Sequence, residues 1–134
     1  AENIDSSVHH IHGECRHRNI IFGVNDDAKV HPDHVFLYKS TSNHDGGRGV
    51  KRALRDANRI FFFGHSLGES DHMYLSDLFL NLRAHERNVE LHFYHYGEIG
   101  FHELHKQLHK LTSSNVSELK SKNIFHANDT SLTA

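Results

Sequence analysis

Residues 64–68, Gly-His-Ser-Leu-Gly, match in full the G-x-S-x-G pattern in which an α/β-hydrolase carries its serine nucleophile. The apolar run Ile60-Phe61-Phe62-Phe63 leads into the pentapeptide and a helical period follows it, which is the strand, turn and helix that a nucleophile elbow needs. Three readings stand side by side. Ser66 could be a nucleophile; Gly64 and Gly68 could shape a ligand or phosphate-binding loop at a strand end; or the turn could be structural, with Ser66 capping it. Against the nucleophile, no helix is expected ahead of residue 49 and no His-Gly-Gly-Gly stretch precedes the motif to supply an oxyanion hole. Acid and base partners such as Asp77 with His95 or His102 exist, but in a chain this rich in His and Asp their presence discriminates little.

Histidine is the second source of chemistry, at 16 of 134 residues. The formal charge is −2 with all of them neutral, and adding 16 protons would bring it to +14, so the molecule becomes far more basic near pH 5 than at pH 8. His12, at the end of an apolar segment, is a candidate general base or an ordinary hydrogen-bonding residue. His102, His105 and His109 stand at i, i+3 and i+7, where one helix face could offer imidazoles to Zn or Ni. Structural zinc sites usually add cysteine to a set of four ligands, and Cys15 is the only cysteine, so these three read as a solvated flank and no metal site is assigned. The tract 91–96 alternates imidazoles with aromatics and reads as a core strand in preference to a base-stacking platform.

The remaining composition narrows the class. A hydrophobic fraction of 37% with 24% charged residues describes an ordinary globular chain, and the length fits a single domain over 1–134. No apolar run approaches the roughly 18 residues of a spanning helix, and the opening AENIDSSVHH has neither part of a signal peptide, so a cytoplasmic protein without a membrane partner is expected. The basic stretch 48–59 reads as a solvated helix face and gives no strong nucleic-acid signal.

The elements that would position these residues follow from periodicity. Short runs rich in Ile, Val and Phe at 8–11, 19–24, 35–38, 59–63, 89–94 and 123–126 read as strands. Leu75, Leu78, Phe79 and Leu82 form one buried face of a helix over 70–84. Phe101, Leu104, Leu108 and Leu111 repeat the pattern, Asn115 with Glu118 resembles a capping box, and a weaker helix spans 49–57. Residues 40–49, rich in Ser, Asn, Asp and Gly, read as an exposed loop. The fold class is therefore α/β, a mainly parallel sheet flanked by helices, Rossmann-like in its C-terminal half. Residues 61–63 are the most continuously apolar strand and are expected at the sheet centre, buried on both faces.

Taken in order, Ile11-His12-Gly13, Ile20-Ile21-Phe22-Gly23, Phe36-Leu37-Tyr38-Lys39 and the block Gly64-His65-Ser66-Leu67-Gly68-Glu69-Ser70-Asp71-His72-Met73-Tyr74 resemble the C-terminal part of the AbiH family, bacterial abortive-infection proteins associated with phage resistance. The resemblance covers roughly residues 8–96. Such proteins usually open with a glycine-rich stretch after a first strand, which this sequence lacks, so the chain is expected to be a C-terminal portion of a longer protein. The family in turn is distantly similar to sirtuin-type NAD-binding folds. That resemblance implies His12 as the catalytic base and Gly64, His65, Ser66 and Asp71 as the lining of a cofactor crevice for NAD or a related nucleotide. It also implies a phage-defence role, with a phage-derived trigger as partner. A serine hydrolase using Ser66 and a non-catalytic interaction module are the competing expectations.

Overall fold

The computed structural model describes residues 15–17, 23, 27–38 and 45–132. The chain divides into two compact units, Ala1–Arg52 and Ala53–Ala134.

In the first unit, Cys15–His17 and Pro32–Leu37 are 3-10 turns. The strand expected at 35–38 is therefore corrected: Pro32 presets the φ of a first helical position, the His31 ring accepts from the Asp33 N–H, and the chain becomes extended only at Tyr38. The Tyr38 hydroxyl donates to the Ala28 carbonyl at 2.9 Å. Helix α1 (Asp45–Asp56), whose last turn from Ala53 belongs to the second unit, begins ahead of the expected boundary, so the loop expected at 40–49 is helical from Asp45 onward. Local turn preference in Asp45-Gly46-Gly47 gives way to propagation from the helical stretch that follows. The strands expected at 8–11 and 19–24, Gly23 excepted, and His12 with them lie outside the described residues.

The second unit is an α/β layer. Among the described residues, strands β1 (Arg59–Phe62), β2 (Glu90–His95) and β3 (Ile124–Asp129) form a three-stranded parallel sheet in the order β1-β2-β3. Helix α2 (His72–Ala84) connects the first pair, and α3 (Gly97–Leu111) with α4 (Val116–Lys122) connects the second. Parallel crossovers are right-handed as a rule, and in a 1-2-3 order that rule places all these helices against one face of the sheet. Burial agrees, because Ile60, Phe62, Leu91 and Phe93 join Leu75, Phe79, Leu82, Leu104, Leu108 and Leu119 in one core cluster. Phe62 and Phe93 stack at 4.8 Å between centroids.

The opposite face is a second finding, and it corrects the expected placement of Phe61 to Phe63. Among the described residues β1 is an edge strand of this sheet, with alternating burial: Phe61 is 54% and Phe63 is 76% exposed. A continuous apolar run is read equally well as buried on both faces or on one, and only the strand order decides.

Capping and turn chemistry set the connections. The Asn115 Oδ1 accepts from the Glu118 N–H while its amide donates to the Glu118 carboxylate at 2.8 Å, which closes the entry of α4. Asn123, buried just before β3, donates to the Leu82 and Leu119 carbonyls at 2.9 and 3.0 Å and accepts from the Val89 N–H at 3.2 Å. One side chain thereby ties the ends of α2 and α4 to the start of β2. Among the described residues, no helix is long and apolar enough to cross a membrane.

Candidate functional site

The carboxyl ends of β1, β2 and β3 meet at one edge, where parallel α/β sheets ordinarily bind ligands. The β1–α2 turn carries the pentapeptide to this edge. Gly64 has φ +64°, a left-handed conformation that glycine adopts without a Cβ penalty. Leu67 is also left-handed, at φ +54°, although its side chain is fully buried.

Two histidines hold Leu67 there. Its N–H donates to the His65 Nδ1 at 2.9 Å, and its carbonyl accepts from the His72 Nε2 at 2.9 Å. Because His65 accepts at Nδ1, its proton sits on Nε2, which faces the Asp71 carboxylate at 3.2 Å. The block 64–72 is thus a pinned turn. A buried leucine anchors it and a His65–Asp71 pair closes it across the N-terminus of α2.

Of the residues assigned from sequence, Gly64, His65, Ser66 and Asp71 are brought together in this turn, and His12 lies outside the described residues. Ser66 is exposed, and among the described residues its hydroxyl makes no hydrogen bond. A nucleophile needs a base within hydrogen-bond reach, and both nitrogens of the adjacent His65 are engaged elsewhere. The turn therefore presents a free hydroxyl on a preordered backbone.

Charge is distributed around it. Glu69 is ion-paired with Lys110 from the last turn of α3, and that ammonium holds the Glu69 carboxyl below its usual range. Neither the short 3-10 turn Glu69–Asp71 nor α2 receives a side-chain cap at its N-terminus.

The rest of the edge was not found from sequence. Asp129, at the end of β3, accepts from the Gly97 N–H at 3.0 Å and from the Ser131 N–H and hydroxyl at 2.9 and 2.7 Å. These bonds, those from Ser131 foremost, hold its carboxyl below the usual range. Thr130 donates to the His95 carbonyl at 3.0 Å. The available signal was Asp129-Thr130-Ser131 at a strand end, an Asx-type turn, but its link to Gly97 needs the β2–β3 pairing.

The α3 histidines do not form a joint ligand set. His105 faces the Phe101 carbonyl through Nδ1 and the Lys120 ammonium through Nε2, at 3.1 Å in each case, so both its nitrogens are engaged. Comparison of the sequence and fold with protein-family models, curated proteins and solved structures gives no match.

Proposed function

We propose that the turn 64–72 is the binding site for a phosphorylated nucleotide of the NAD type, in a Rossmann-like, AbiH-like phage-defence protein of the bacterial cytoplasm. One observation carries the ligand reading: Ser66 stands exposed and without a hydrogen-bond partner among the described residues, on a turn whose geometry is already held by Leu67, His65, His72 and Asp71. A preordered loop loses little conformational entropy when it binds, and a free hydroxyl at a parallel strand's carboxyl end suits a phosphate or ribose oxygen. The absence of a base beside Ser66 favours this reading over a hydrolase elbow. The phage-defence role rests on the resemblance of the sequence blocks, as does His12 as a base for cleaving a nicotinamide-type bond.

The test is thermal unfolding of the chain with and without NAD, ADP-ribose or ATP, in buffer with chelator. A ligand at about 100 times its dissociation constant adds about 2.7 kcal/mol of stability. A rise in Tm that disappears in Ser66→Ala supports the reading. No rise with any of the three, in a protein that unfolds cooperatively, overturns it.

A further inference from the structure

The face of the sheet opposite α2, α3 and α4 carries a cluster that neither the turn nor the resemblance uses. Pairing in register sets Arg59 beside Glu90, and Phe61 beside His92 beside His126, across the three strands. Alternation along β2 turns Glu90 and His92 to the same face, away from Leu91 and Phe93 in the core. The three rings of the second row form a ladder: Phe61 stacks on His92 at 4.6 Å and His92 on His126 at 4.4 Å, both with 12° between planes.

We propose that Glu90, His92 and His126 bind one divalent transition-metal ion, of which Zn2+ is the best match, with at least one coordination position left open. One ligand atom from each residue lies within 4.8 Å of the others. The Glu90 Oε1 stands 2.8 Å from the His92 Nε2 and 3.8 Å from the His126 Nε2. Tetrahedral ligands about 2.05 Å from zinc are roughly 3.4 Å apart, a value the two Glu90 separations bracket; the His92 and His126 rings stack with 12° between planes, so one imidazole must turn out of the stack for both Nε2 lone pairs to meet on one ion. Two imidazoles and one carboxylate are also a donor set of catalytic zinc centres, where water takes the fourth position.

The surroundings fit the same purpose. The Arg59 Nε donates to the Glu90 Oε2 at 2.7 Å, which orients the carboxylate and leaves Oε1 to the histidines. In the metal-free site the His92 Nε2 proton bridges to Glu90. Binding moves that proton to Nδ1 and frees Nε2 for the ion, without a change in net protonation. Side-chain exposures of 26% for Glu90, 17% for His92 and 43% for His126 shield the ligands partly and still leave an approach from solvent. The cluster and the 64–72 turn share no residue, so the two proposals stand or fall separately.

The experiment titrates the full chain with Co2+, read by its visible absorption, and then displaces it with Zn2+. One tight ion per chain with intense tetrahedral-type bands is expected. His92→Gln and His126→Gln each weaken binding at least tenfold, and Arg59→Gln weakens it by about tenfold while leaving the ligands in place. The chain's other histidines are controlled with His102→Ala/His109→Ala on α3, which leaves the tight site unchanged. Glu90→Gln is isosteric and replaces any histidine variant that fails to unfold cooperatively; it too must weaken binding at least tenfold. Affinity and stoichiometry unchanged in the three ligand variants, or a loss that follows the α3 pair instead, overturns the proposal.

Discussion

Leu67 is the residue on which the turn depends, and its two roles can be separated by two substitutions. Leu67→Ala removes about three buried carbons, worth roughly 2.4 kcal/mol at about 0.8 kcal/mol each, and leaves a void, so a total loss of about 3 kcal/mol is expected. Leu67→Gly removes one carbon more. At an ordinary φ it would be less stable than the alanine variant by about 1.5 kcal/mol, from the missing methyl and the freer unfolded chain. At φ +54° leucine and alanine share a left-handed strain of about 1–2 kcal/mol, from which glycine is exempt. The two effects offset, and the variants should lie within about 0.5 kcal/mol of one another. Since the chain has no tryptophan, urea unfolding followed by far-ultraviolet circular dichroism is the assay, with equal m-values required before midpoints are compared. A glycine variant about 1.5 kcal/mol below the alanine variant would refute the left-handed anchor. An alanine variant within about 0.5 kcal/mol of wild type would refute the burial.

Two further outcomes are expected. Asn123→Ala leaves the Val89 N–H and the Leu82 and Leu119 carbonyls without their buried partner, and a loss of about 3 kcal/mol is expected at about 1 kcal/mol or more per group; urea midpoints check it, and a change under about 1 kcal/mol would show that other groups satisfy these atoms. Asp129 has its carboxyl lowered by Ser131 and Gly97, so the stability it contributes is present above the ordinary carboxylate range near pH 4 and is lost as pH falls through the folded-state value. The stability gap between wild type and Asp129→Asn should therefore be wider at pH 7 than at pH 3. An equal gap at both would contradict the assignment.

Much of the second unit was legible in the sequence, because period 3.6 and period 2 are local properties of the chain. The stripe Leu75, Leu78, Phe79 and Leu82 marked α2, and Phe101, Leu104, Leu108 and Leu111 marked α3, although Phe101, in the first turns of that helix, is left exposed. Alternating strands and helices implied a parallel sheet, and the sheet is parallel. Phe61 and Phe63 were misjudged for a reason equally physical: side-chain type does not report how many faces of a strand a neighbour covers. At 32–37 a proline preset one backbone angle and outweighed the strand preference of Val35 and Phe36.

The two candidate sites divide along the same line. The glycine pattern by itself determined that residues 64–68 turn sharply after a strand, and Glu90 and His92, two apart, had to share a face if that strand formed. Which atoms those turns and faces bring together was decided by the tertiary structure. His65 and His72 became clamps on a left-handed leucine only once the Leu67 side chain entered the core, and His126 joined Glu90 and His92 only through the register of β2 on β3. Spacing along the chain constrains a residue's neighbours within a few positions, whereas contacts across 34 residues exist only when packing selects one register out of several.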